Sequence, residues 1–237
     1  MAGTLYLIPT PLGATALDVV MPEATRRIAA GLSTFVVEHP KTARAFLKQV
    51  GTALPIQQLT LLELNEHTKP AELKALLAPL LAGQDVGLIS EAGCPAVADP
   101  GADLVRLAHQ HGIKVKPLTG PSSILLALMG SGLVGQRFAF HGYLPAKPEE
   151  RSKALKDLEK RAEKDDAAQA FIETPYRNTA MLETILAACR DDTWLCVACD
   201  LTLDSELVLS HRVADWRGAL PEIERRPCVF LIYRDAK

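Results

Sequence analysis

Carboxylates, hydroxyls and a thiol gather in this sequence where apolar runs stop. Val86-Gly87-Leu88-Ile89 breaks off into Ser90-Glu91-Ala92-Gly93-Cys94, and Asp99-Pro100-Gly101 follows a little later. Small side chains at such a stop let a ligand approach the backbone, whose N–H groups can hold polar atoms. Other apolar runs end in the same way. Leu5–Ile8 gives way to Pro9-Thr10-Pro11-Leu12-Gly13, Thr34–Val37 to Glu38-His39-Pro40, and Leu59–Leu64 to Asn65-Glu66-His67-Thr68. Lys114–Leu118 opens onto Thr119-Gly120-Pro121-Ser122-Ser123, and Ala168–Ile172 onto Glu173-Thr174-Pro175-Tyr176-Arg177. Glu38, Glu66, His67, Glu91 and Glu173 are the groups here that could move a proton. Each could equally serve as a cap or hydrogen-bond partner inside its own loop.

Those runs need elements to hold them. Short apolar stretches bounded by Gly and Pro read as buried strands, and the segments between them carry helical spacing. Pro22-Glu23 starts a helix to Ala30 that Gly31 stops, and a helix from Thr42 to about Val50 carries Lys41, Arg44 and Lys48. Thr68 caps a helix whose apolar positions are Leu73, Leu76, Leu77, Leu80 and Leu81. Asp99, followed by Pro100, caps Ala102–His111. This alternation predicts a mostly parallel sheet covered on both faces, with loops at the carboxyl ends of the strands as the ligand side. Glycines around Gly130-Ser131-Gly132 mark a change of composition, and the chain divides at Leu118 into residues 1–118 and 119–237.

The second part starts with Phe138–His141 and a Gly142–Pro145 loop, then a charged helix from Lys147 to Lys164. That helix reads as a solvated amphipathic face, with a phosphate-binding face as the competing reading. Trp194–Cys199, Glu206–Arg212 and Cys228–Tyr233 follow closely without helical segments of any length, which predicts an antiparallel portion and a mixed sheet.

Composition narrows the classes. Of 237 residues 48% are hydrophobic and 23% charged, and the formal charge is −2, so a nucleic-acid partner would have to use a local patch. Cys196-Val197-Ala198-Cys199 has redox or metal spacing, but residues three apart on a strand face opposite ways and no second pair follows. Buried thiols in a reducing compartment are therefore expected of the five cysteines, and no metal. Met1-Ala2-Gly3-Thr4 has no basic n-region and no long apolar core, and no apolar run is long enough for a bilayer, so a cytoplasmic, non-membrane protein is expected.

Taken together the loops resemble a known family. Leu5–Gly13, Asn65-Glu66-His67, Leu88–Gly101, Val115–Ser123, Phe140–Pro145 and Glu173–Arg177 follow, in order, motifs of the tetrapyrrole-methylase-fold methyltransferases that use S-adenosylmethionine. They are most similar to the branch that methylates the ribose 2′-hydroxyl of a cytidine in 16S ribosomal RNA. Six positions in three loops depart from that branch's pattern: Ala14 stands for Asn, His39-Pro40-Lys41 for Asp-Thr-Arg, Glu91 for Asp and Cys94 for Thr.

The resemblance implies two α/β domains with a ligand cleft between them, a homodimer, and ribosomal RNA or the small ribosomal subunit as partner. It implies that Ser90, Ala92, Gly93 and Cys94, with Gly120, Pro121, Ser122 and Ser123, line the methionine and ribose of the donor. Pro11, in the Pro9–Gly13 loop, would wall the substrate side, and Thr174, Pro175 and Pro227 would close over the adenine. Glu91 and His67 are the first choices for a general base toward a ribose hydroxyl. A tetrapyrrole C-methyltransferase is a rival reading. Its usual Gly-x-Gly-Pro-Gly-Asp is absent from the first loop, where Pro9–Gly13 lacks the Asp. A non-catalytic regulatory domain that binds S-adenosylmethionine is the other.

Overall fold

The computed structural model describes residues 2–216, 218 and 220–235. In chain order its elements are β1 (Thr4–Ile8), α1 (Leu17–Val20), α2 (Glu23–Gly31), β2 (Thr34–Val37), α3 (Pro40–Val50), β3 (Thr60–Glu63), α4 (Pro70–Leu76) and α5 (Ala78–Leu81). There follow β4 (Val86–Ile89), α6 (Ala102–Gln110), β5 (Lys114–Pro117), α7 (Ser123–Ser131), β6 (Phe138–Tyr143), α8 (Pro148–Asp165) and β7 (Ala168–Ile172). The described elements end with α9 (Asn178–Ala188), β8 (Trp194–Cys199), β9 (Leu207–Arg212), α10 (Val213–Trp216) and β10 (Cys228–Tyr233).

The chain separates into two compact units, the first ending at Ser122 and the second starting at Ser123. In the first, β3-β2-β4-β1-β5 form a five-stranded sheet, and each ladder in it is parallel. β2 and β4 are buried along their whole length, as strands covered on both faces must be. One face packs Ile8, Phe35, Val37 and Ile89 against Leu17, Ala29, Ala43 and Leu47. The other packs Leu5, Val36 and Leu88 against Leu77, Leu80, Leu104 and Ala108. Each fully buried Leu or Phe there contributes about 2 kcal/mol of hydrophobic stabilisation.

The strand order decides where a ligand goes. From β1 the chain leaves toward β2 on one side, and from β4 it leaves toward β5 on the other, although β1 and β4 are neighbours. Their connections also cover opposite faces, Leu17 and Ala29 on one and Leu104 and Ala108 on the other. The two connections thus cross on opposite faces, and a cavity opens at the carboxyl ends of the two strands.

The second unit holds a mixed sheet in the order β6-β7-β10-β8-β9, parallel only between β6 and β7. Its core joins Leu155, Leu158, Met181 and Ile185 of α8 and α9 to Phe171 and Phe230 on the strands. The two phenyl rings stack at 5.8 Å. Arg151 and Glu159 of α8 are also buried, so two charges of that helix face inward rather than toward solvent.

Several local expectations are corrected. The helix after His67 is two pieces, because Pro79 has no N–H for the carbonyl a turn back and so ends α4 before α5 begins. Thr68 does not cap it: its hydroxyl accepts the Asn65 N–H at 3.0 Å, and Glu72 Oε2 takes the Lys69 N–H at 2.9 Å. Asp99 does not cap α6 either, since Gly101 is the residue that precedes it. The cysteines are not all thiols. Antiparallel pairing sets Cys228 opposite Cys199, and the two form a disulfide. Cys189 and Cys196 are buried thiols pushed up to about 12 by desolvation, and Cys94 is a half-buried one.

Candidate active site

The crevice at the ends of β1 and β4 is a cavity of about 640 Å³. Three segments wall it: Thr10–Ala16 after β1, the Ile89–Ala92 mouth of β4, and α3 through Thr42, Ala45, Phe46 and Gln49. Alanines at 14, 16, 43, 45 and 92 keep it wide.

Backbone bonds fix its floor. Thr10 N–H donates to the Gly93 carbonyl at 2.9 Å, and Gly93 N–H to the Thr10 carbonyl at 3.0 Å. The Thr10 hydroxyl reaches the Ser90 carbonyl and the Ser90 hydroxyl reaches the Gly93 carbonyl. Gly93 stands at φ +77°, which favours glycine, and a side chain there would press on Leu12.

The loop after β5 joins this structure. Leu118 N–H donates to the Leu7 carbonyl, and the Cys94 thiol points to the Pro121 carbonyl at 3.5 Å. Gly120 packs so closely on Pro9 that a Cβ would lie 2.5 Å from its ring. Ser122 bonds the Cys94 thiol, while burial pushes that thiol above its ordinary range.

Acidic side chains meet at one edge. Glu91 Oε1 accepts the Thr42 hydroxyl at 2.6 Å. Glu38, at the end of β2, titrates higher than an ordinary glutamate because of desolvation and then the Glu91 charge. Asp99 is pushed up to about 6, first by burial and then by the Glu38 charge, against a hydrogen bond with Ser90. Asp99 is the functional candidate that sequence reasoning passed over. Its place beside Pro100 reads as a cap, and nothing local reveals Ser90 and Glu38 as its neighbours.

The residues singled out from sequence thus divide. Pro11, Ser90, Glu91 and Ala92 line the cavity, and Gly93, Cys94, Gly120, Pro121 and Ser122 form the adjoining loops. Ser123 opens α7 in the second unit. His67 lies outside the cavity lining, its side chain 84% exposed and 3.6 Å from Glu66.

In the second unit Glu173 is buried and held by Arg177 and the Thr174 N–H, both on Oε1. The Pro175 carbonyl accepts Arg225 N–H and the Pro227 carbonyl accepts Asp200 N–H. These bonds give Thr174, Pro175 and Pro227 fixed backbone positions. Among the described residues no cluster of His, Cys, Asp or Glu could hold a metal ion, and no helix is long and apolar enough to cross a membrane.

A fold of two α/β units, with a cavity at the carboxyl ends of β1 and β4, defines a class that sequence comparison makes specific. Residues 4–216 match the family model of the Tetrapyrrole (Corrin/Porphyrin) Methylases, and the chain belongs to that family. It is a methyltransferase, and the family implies a methyl donor.

Among its relatives are proteins named "Ribosomal RNA small subunit methyltransferase I". The one from Escherichia coli O157:H7 is 31% identical over 94% of this chain and 74% of its own length. The one from Pseudomonas aeruginosa is 30% identical over 98% and 79%. Two solved structures share the fold: the methyltransferase CobJ, with a TM-score of 0.62 at 22% identity, and uroporphyrin-III-C-methyltransferase from Thermus thermophilus, with 0.57 at 19%. This chain covers 95% of the first and 93% of the second, each over 99% of its own residues.

Proposed function

We propose that this chain transfers a methyl group from S-adenosylmethionine to the 2′-hydroxyl of a cytidine ribose in small-subunit ribosomal RNA. The observation that carries the reading is the cavity at the carboxyl ends of β1 and β4, walled by small residues and bordered by Glu91. The names of the relatives favour ribosomal RNA over a tetrapyrrole as acceptor.

The donor is given to Gly93, Cys94 and Gly120–Ser123. Backbone and hydroxyl bonds tie Gly93 to Thr10 and Ser90 of the cavity wall, and the Cys94 thiol reaches the Pro121 carbonyl. The sulfonium supplies an electrophilic methyl group when bound. The cavity on the Pro11 side takes the acceptor nucleoside, and the Ser90–Ala92 mouth stands on the border of the two.

The protein's work is alignment and exclusion of water. A donor held by Gly93, Cys94 and Gly120–Ser123 would supply the methyl group for in-line displacement by the ribose oxygen, its sulfur keeping the bonding pair of the broken carbon–sulfur bond. The hydroxyl proton goes to a carboxylate, and Glu91 takes that role because it lies at the cavity wall, whereas His67 is not among the lining residues.

Purified protein incubated with methyl-labelled donor and small ribosomal subunits tests this. Label is expected at one ribose 2′-oxygen mapped by mass spectrometry. Glu91→Gln is expected to lower kcat at least tenfold with donor affinity kept, and His67→Ala to leave kcat unchanged. Absence of label from RNA, or label on a porphyrin or corrin instead, overturns the reading.

A further inference from the structure

Helix α3 has three faces. Ala43, Phe46 and Leu47 are buried in the core. Thr42, Ala45 and Gln49 face the cavity. Lys41, Arg44 and Lys48, at i, i+3 and i+7, share a third, exposed face.

At 100° per residue this basic face adjoins the cavity face and lies away from the buried one. The helix contains no Asp or Glu, and among the described residues no ion pair engages these three cations. From Lys41 to Lys48 the ridge rises about 10 Å along the cavity rim. A chain of net charge −2 has no general excess of cations, so an unpaired row beside a ligand cavity is a local feature.

The acidic side chains gather at the amino-terminal end of α3, with Glu91 on the wall and bonded to Thr42, and Glu38 and Asp99 near it. Phosphates are repelled there and attracted to the α3 ridge, while an uncharged nucleoside is free to enter. We infer that α3 is the docking element for single-stranded RNA: the phosphates flanking the target nucleotide run along Lys41, Arg44 and Lys48, and the nucleoside turns over the Thr42–Gln49 face into the cavity. This rests on the RNA reading given above and names the surface that such an acceptor uses.

Binding of a fluorescent oligocytidylate to the full chain, measured over a range of KCl concentrations, tests the inference apart from methyl transfer. Each phosphate contact on a single strand contributes about 0.7 to the slope of log K against log salt. The triple variant Lys41→Gln, Arg44→Gln, Lys48→Gln is expected to flatten the slope by about 2, with the melting temperature and S-adenosylmethionine affinity unchanged. Replacing exposed Lys153, Lys156 and Lys164 of α8 by Gln is expected to leave the slope as it was.

An unflattened slope in the α3 variant, equal flattening in the α8 variant, or preference of the parent chain for oligoglutamate over RNA overturns the inference. Failure of the parent chain to methylate ribosomal RNA, with the α3 slope change still present, counts instead against the catalytic reading alone.

Discussion

A carboxyl that titrates at about 6 gives Asp99 a measurable signature. Below about pH 4 it is protonated in the folded and unfolded chain alike and costs nothing. Between there and 6 the folded form keeps its proton while the unfolded form has lost it, so stability falls as pH rises. Above 6 the full cost of an ionised, half-buried carboxylate is present. The side chain is only about half buried, so screening leaves roughly 1 kcal/mol of this. Asp99→Asn is therefore expected to raise the melting temperature at pH 8 by about 4 °C and to change it little at pH 3, as read by calorimetry. An equal shift at both pH values would mean that ionisation is not the cause. Sequence showed Asp99 only as a cap, because Glu38, which follows β2, is distant in the chain and the fold of the Ser90–Asp99 loop is not written in its residue types.

At the level of elements, α8 is tied to the β8 entrance by one buried acid. Glu159 Oε1 accepts the Thr193 hydroxyl and the Arg190 N–H, just before Trp194 begins β8. Glu159→Ala removes both bonds and strands two donors, a loss of about 3 kcal/mol, whereas Glu159→Gln keeps an acceptor and loses less. Urea midpoints followed by tryptophan fluorescence are expected to fall in that order. Strands were the legible elements: Leu5–Ile8, Thr34–Val37 and Val86–Ile89 stop at prolines, glycines and polar residues that mark the ligand side. The charged helix was legible as a helix, but which of its charges turn inward was not. Arg151 and Glu159 look like their neighbours until Thr184 and Thr193 are brought beside them.

Across the whole molecule, both tryptophans, Trp194 and Trp216, lie in the second unit, so their fluorescence reports that unit while circular dichroism reports both. The Cys199–Cys228 bond closes a loop of 29 residues there, worth about 3 to 4 kcal/mol on chain-entropy grounds. Adding dithiothreitol is expected to lower the fluorescence midpoint in urea and to leave the dichroism change of the first unit in place. If the fluorescence midpoint does not move, the disulfide is not holding the second unit. The pairing was not legible because it depends on the register of β8 against β10, and spacing alone pointed to the nearer couple Cys196 and Cys199. The division into a parallel and a mixed half was legible, since helices separate the early strands and long helices are missing among the late ones.

The two-bond clasp of Thr10 to Gly93 runs against the direction of the parallel ladder beneath it. Neighbouring strands that are stitched past their ends cannot splay like fingers. Anything entering or leaving must therefore pass along the flank, over the turns of α3 or the Ala14–Ala16 span.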